Sequence, residues 1–265
     1  MRKKCFSILC FILVIIAACN DTESKNNAAK NLPPYLKDLY EHAQQYPDSV
    51  NLRITLINAL DSAGMHKDAL QQMDSLIVKD SLNFGFWNAK GHLQENAKDT
   101  AGAIVSYKRA LRIYPSPDAM LTLANLFAET KNDTALRLCN QVRELSADRK
   151  YEADCYFIEG IFHARKGNTQ QALLTFDACI NARYTYVVAY LEKGFIYYDS
   201  KQYAEALKIF QLAASVSNAY ADAYYWQAKC YEAMNNKPEA ITNYSKALSL
   251  DKNLTEAATA LQRLK

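Results

Sequence analysis

The chain has 265 residues, half of them hydrophobic and 22% charged, with seven glycines and a net charge of +3. Arg2, Lys3 and Lys4 carry that excess, so the rest of the chain is neutral and lacks the basic tract that a nucleic-acid footprint requires. Hydrophobic content this high with few glycines excludes a disordered or low-complexity chain and points to extensive helix.

After the basic start comes an apolar run from Phe6 to Ile16, closed by Ala17, Ala18 and Cys19. That layout predicts a secretory signal over residues 1–18, since the run is too short to span a bilayer comfortably. Ile16-Ala17-Ala18-Cys19 resembles the bacterial lipobox. The resemblance implies that Cys19 becomes an acylated N-terminus bearing palmitate-type chains, and several chains anchor stably where one holds only marginally. Asp21 and Glu23, just beyond it, weakly resemble a surface-export signal of the Bacteroidota. No later stretch is apolar for long enough to cross a membrane, so the remainder is expected in water.

Residues 19–34 are polar and read as a flexible tether reaching roughly 20 Å. Pro33-Pro34 primes a helix from about Tyr35 to Tyr46, which Pro47 ends, giving an N-terminal cap over 35–49.

Beyond Pro47 the chain repeats itself. Ala69, Ala103, Ala172, Ala206 and Ala240 open similar apolar stretches at separations of 34, 69, 34 and 34 residues, the longer gap holding a copy at Ala135 slightly out of register. The clearest copy runs Trp87, Gly91, Ala103, Tyr107, Ala110 and Pro115, at positions 4, 8, 20, 24, 27 and 32 of the unit. Others run Tyr190, Gly194, Ala206, Phe210, Ala213 and Tyr224, Ala228, Ala240, Tyr244, Ala247. Small residues at 8, 20 and 27 let two helices approach closely, and aromatics fill the space between them. This pattern resembles the tetratricopeptide repeat (TPR). It implies an all-α, right-handed solenoid of six helix pairs over 50–254, with capping helices at the N-terminus and over 255–265. The units are 50–83, 84–116, 117–152, 153–186, 187–220 and 221–254. The third is irregular: its turn at Lys131-Asn132-Asp133 is one residue short, and a charged link, Asp148-Arg149-Lys150, follows its second helix.

No catalytic constellation is present, so no enzyme is expected. There is no Gly-x-Ser-x-Gly elbow and no phosphate loop, and Gly91, Gly160 and Gly194 fall inside helices. Gly102 reads as a turn glycine. Cys139, Cys155, Cys179 and Cys230 form no Cys-x-x-Cys pair and show no metal-ligand spacing with His42, His66, His92 or His163, so neither metal nor cofactor is expected. The four thiols read as small core residues in preference to bridges. His163, at position 11, reads as a core aromatic.

What the family resemblance adds is a binding groove lined by first-helix positions 2, 5, 9, 12 and 13. Carried onto this chain, those positions give two different halves. The early repeats offer polar groups such as Asn88, His92 and Asn125. The later ones offer Phe157, Ile161, Leu191, Phe195, Tyr198 and Tyr225. The competing reading is that these apolar groups are simply core. The Lys-Asn clamp of chaperone-adaptor TPR domains is missing, with Asn88 and His92 in its place.

Six Asp-(Ser/Thr)-aliphatic triplets resemble an O-glycosylation acceptor motif of the Bacteroidota, with Ser49, Ser62, Ser75, Ser81, Thr100 and Thr134 as acceptors. Helix-start chemistry explains Asp99 and Asp133 equally well. The expected function is a lipid-anchored outer-membrane scaffold or adaptor. It would bind a protein or peptide at the bacterial envelope in assembly or secretion, on the periplasmic face or the cell surface. The alternative is a carbohydrate- or peptidoglycan-associated module. No small-molecule substrate is indicated.

Overall fold

A computed structural model describes residues 33–146 and 149–264. The leader, Cys19 and the tether as far as Leu32 lie outside the described residues. Fourteen helices and no strand are present among the described residues, which form two compact units divided after Ser81.

The first unit contains α1 (Pro34–Gln45), α2 (Val50–Ser62) and α3 (His66–Lys79). Pro34 starts α1 where a missing N–H does no harm, and Ser49 caps α2 by accepting from the Leu52 amide at 3.4 Å. Leu36, Leu56, Ile57, Leu60, Met73 and Leu76 are buried and hold the three helices together. Arg53 Nη1 donates to Gln72 Oε1 at 2.7 Å, tying α2 to α3.

The second unit continues the pairing: α4 (Phe84–Asn96) with α5 (Thr100–Ile113), α6 (Pro117–Glu129) with α7 (Thr134–Leu145), and α8 (Glu152–Arg165) with α9 (Thr169–Ala182). Then come α10 (Val187–Asp199) with α11 (Tyr203–Val216), α12 (Ala221–Ala233) with α13 (Lys237–Leu250), and finally α14 (Thr255–Leu264). Within this unit each second helix also packs on the next first helix, so each pair covers the apolar face of its neighbour.

Packing within a pair follows from the 34-residue period. A Cβ on Gly91 would lie 2.6 Å from the Tyr107 ring, and one on Gly160 would lie 2.5 Å from the Phe176 ring. Gly194 faces Phe210 still more closely. Position 8 is therefore glycine because a fully buried aromatic at position 24 fills the space its side chain would need.

The turn inside every pair is also shared. Position 15 is left-handed throughout: Gly64 (φ 74°), Lys98 (62°), Lys131 (60°), Gly167 (79°), Lys201 (60°) and Asn235 (61°). Around it the next amide reaches back five residues, as in Asp99 N to Gln94 O at 2.8 Å and Gln202 N to Tyr197 O at 2.9 Å, closing the first helix.

The third pair departs from this scheme after the turn. Position 15 is still Lys131, but the Ala135 amide bonds to Asn132 O at 3.0 Å, three residues back. That tighter start removes one residue, so Ala135, Cys139 and Val142 take the buried sites that Ala103, Tyr107 and Ala110 occupy in the second pair. Gly102 is the third residue of α5 and not a turn residue.

Candidate functional site

The first helices of the second unit carry a row of aromatic side chains that the fold leaves half-buried. Phe157 packs 5.1 Å from Tyr186 and 6.0 Å from Phe176, ring centre to ring centre. Phe195 lies 4.7 Å from Trp226 and 5.7 Å from Phe210. Tyr198 meets Trp226 at 5.2 Å, and Tyr225 meets it at 5.6 Å. Trp226 therefore stands at the centre of the cluster, stacked 5.9 Å from Phe210. Sequence reasoning missed it because it sits at position 6, beside the expected positions; its bulk next to Tyr225 was the available signal.

Two of the expected groove residues prove to be core. Ile161 is 2% exposed and Leu191 5%, because each packs under its neighbouring repeat and offers no surface. Phe157, Phe195, Tyr198 and Tyr225 keep an accessible face.

The polar candidates divide differently. His92 is exposed, and its Nδ1 sits 2.8 Å from the Tyr107 hydroxyl, which also donates to Glu95. Burial, with the Glu95 carboxylate beside it, pushes the Tyr107 hydroxyl far above its usual range. Asn88 is half-buried, and its Oδ1 is buried without a hydrogen-bond partner. Asn125 is half-buried on α6. His163, the expected core aromatic, is half-buried edge-on to Phe162, with its ring pushed below the usual histidine range by burial.

Charge is distributed unevenly in this unit. Its first helices (α4, α6, α8, α10, α12 and α14) carry eleven carboxylates and five lysines or arginines. Its second helices carry four carboxylates and eight lysines or arginines. Some acids are paired across repeats: Arg165 Nε donates to Glu129 at 2.7 Å, and its Nη1 lies 3.5 Å from Glu192. Burial raises the Glu192 carboxyl against the pull of Arg165. Asp118, Asp199, Asp222 and Glu256 have no ion-pair partner among the described residues. Burial and the nearby Asp251 raise the Asp222 carboxyl. At the C-terminal end a cleft of about 300 Å³ is lined by Tyr225, Lys229, Tyr244, Thr255, Glu256, Thr259, Ala260 and Arg263.

No group of His, Cys, Asp and Glu among the described residues is arranged to hold a metal. No described helix is long and apolar enough to cross a membrane. Of the triplet acceptors, Ser62, Ser81 and Thr100 are exposed. Ser49 caps α2, Ser75 donates to Gln71 O at 3.1 Å, and Thr134 Oγ1 accepts from Arg137 at 2.8 Å. Asp99 does cap α5, accepting from the Gly102 amide at 2.9 Å. Asp133 does not cap α7: Asn132 accepts from the Thr134 amide there instead.

Comparison with known proteins bears on the repeats. The profile described as tetratricopeptide repeat matches residues 84–117, 187–220 and 221–254, the second, fifth and sixth helix pairs. No curated protein matches the sequence. Among solved structures, a tetratricopeptide repeat protein of Parabacteroides merdae is 17% identical, over 92% of this chain and 93% of that one, with a TM-score of 0.69. PilW, described as a widely conserved type IV pilus biogenesis factor, is 17% identical over 80% of this chain and 97% of its own, with a TM-score of 0.61. A thermophilic TPR protein of Thermus thermophilus is 18% identical over 69% and 98%, with a TM-score of 0.55. At such identities the likeness speaks for fold. Proteins built this way generally serve as interaction scaffolds and not as enzymes. The chain carries tetratricopeptide repeats and is an all-α solenoid of them.

Proposed function

We propose that this protein is a lipid-anchored scaffold of the bacterial envelope that captures a polypeptide on the first-helix face of its second unit. The observation that carries the reading is the row of half-buried aromatics, Phe157, Phe195, Tyr198 and Tyr225, whose remaining exposed faces only a partner would cover. The negative balance of the same helices adds the partner's chemistry: large apolar side chains flanked by lysine or arginine. The more polar Asn88, His92 and Asn125 extend the surface toward the earlier repeats.

Tyr198→Ala combined with Tyr225→Ala tests the surface, because both rings lie against Trp226 and keep an exposed face. Capture of the partner by the full chain should fall more than about tenfold, the loss expected when aromatic anchors are truncated. Unchanged capture by a folded double variant sinks this surface.

Anchoring rests on the lipobox resemblance at Cys19. Cys19→Ser removes the thiol that acyl transfer requires, so the protein should leave the detergent phase or keep its signal. A variant that partitions and matures like the wild type refutes the anchor. Ser62, Ser81 and Thr100 are the acceptors best placed for a glycan, being exposed.

A further inference from the structure

The third and fourth repeats meet through an exception to the packing rule. At the other junctions within the second unit, position 3 of the following first helix is a buried alanine: Ala119, Ala189, Ala223 and Ala257. A buried aromatic occupies position 24 of the preceding second helix in each of those cases: Tyr107, Phe176, Phe210 and Tyr244. At this junction alone among the described residues both are cysteine, Cys139 on α7 and Cys155 on α8, each with no exposure.

The two side chains reach across to each other. Cys155 Sγ donates to Cys139 O at 3.5 Å, and Cys139 Sγ lies 3.9 Å from Cys155 O. Each sulfur thus rests against the other residue's backbone, 16 residues apart in sequence. Cys179 and Cys230 are equally buried but make no such reciprocal contact. All four thiols are free in the structure.

We propose that Cys139 and Cys155 form an intramolecular disulfide when the chain folds in the presence of a small-molecule disulfide such as oxidised glutathione, joining α7 to α8. The pairing of both changes at one contact is the argument: a single buried cysteine is an ordinary core residue, but two facing residues replacing an aromatic and an alanine together are not required by packing. The steps balance by thiol–disulfide exchange. One of the two cysteines, as its thiolate, attacks one sulfur of oxidised glutathione, breaking its S–S bond and releasing one reduced glutathione. The thiolate of the other then attacks the protein-bound sulfur and releases the second. The protein loses two hydrogens, and the glutathione disulfide gains them. Because both sulfurs are inaccessible in the folded state, the reaction belongs to folding, before the junction closes.

The test refolds the full chain from denaturant in a mixture of reduced and oxidised glutathione, with a dithiothreitol refold as control. Thiols are then blocked under denaturing conditions, and the peptides are mapped by mass. A Cys139–Cys155 cross-linked peptide should appear, and the blocked forms of both should drop about tenfold or more against the control. Cys179 and Cys230 should remain blocked in full. Circular dichroism should show equal helix content in the two refolds. Recovery of Cys139 and Cys155 as thiols, as glutathione adducts or joined to another cysteine overturns the proposal. So does a cross-linked product less helical than the control, because the bond would then be incompatible with the native junction.

Discussion

Position 8 shows how a single atom can constrain a repeat. Where position 24 is Tyr107, Phe176 or Phe210, its partner is Gly91, Gly160 or Gly194, and where it is the thinner Met73 or Cys139, the partner grows to Ile57 or Ala124. Ala228 opposite Tyr244 is the one pair that departs from this trade of volume. Gly194→Leu should therefore overpack against Phe210 and cost about 1–3 kcal/mol, read as a lowered melting temperature. Gly102→Ala should be mild. Its Cβ would meet only the ends of the Asp99 and Gln94 side chains, and disturbing the α5 cap, at about 1 kcal/mol, is offset by the roughly 0.5–1 kcal/mol that alanine gains over glycine inside a helix. An unshifted melt for Gly194→Leu contradicts the packing described. The first of these glycines was legible in the sequence because it recurs at a fixed offset. The second was not, since its constraint comes from two side chains folded back over one turn. Trp226 escaped for a related reason: its role depends on rings from two repeats, Phe195 and Phe210 on one side and Tyr225 on the other.

At the scale of the helices, the turns are where sequence and conformation disagree. Glycine is the residue best suited to a left-handed position, yet only Gly64 and Gly167 supply it, while Lys98, Lys131 and Lys201 adopt the same conformation at φ near 60°. A left-handed residue with a side chain costs about 1–2 kcal/mol, and a new glycine gives back about 0.4–1 through the freedom it adds to the unfolded chain. Lys201→Gly should then stabilise the protein by about 0.5–1 kcal/mol. A lower melting temperature for this variant would mean that the lysine side chain contributes more than its backbone strain removes. The helix pairs themselves were readable because their small and aromatic residues keep one period. The tightened start of α7 was half readable: Ala135 arrives a residue early, but only the Ala135 N to Asn132 O bond shows that the turn keeps its geometry and the second helix absorbs the loss.

Across the second unit, charge divides by helix type, which no local window of sequence displays. Eleven carboxylates against five cations on the first helices face four against eight on the second. The imbalance only emerges once alternate helices are assigned to separate layers. Cross-repeat pairs such as Arg165 with Glu129 and Glu192 were hidden likewise, because residues 36 and 27 apart become neighbours only through stacking. These internal pairs consume part of the charge, whereas Asp118, Asp199, Asp222 and Glu256 are left without an ion-pair partner among the described residues. Exposed charges act over about 10 Å at 0.1 M salt and about 3 Å at 1 M. If the proposed polypeptide brings cations to this face, its capture should weaken about fivefold or more between those ionic strengths, chiefly through slower association. Asp199→Asn with Asp222→Asn should flatten that dependence while leaving the contribution of Tyr198 intact. Capture that ignores salt but still requires Tyr198 would assign recognition to the aromatic row alone and remove the cationic requirement from the partner.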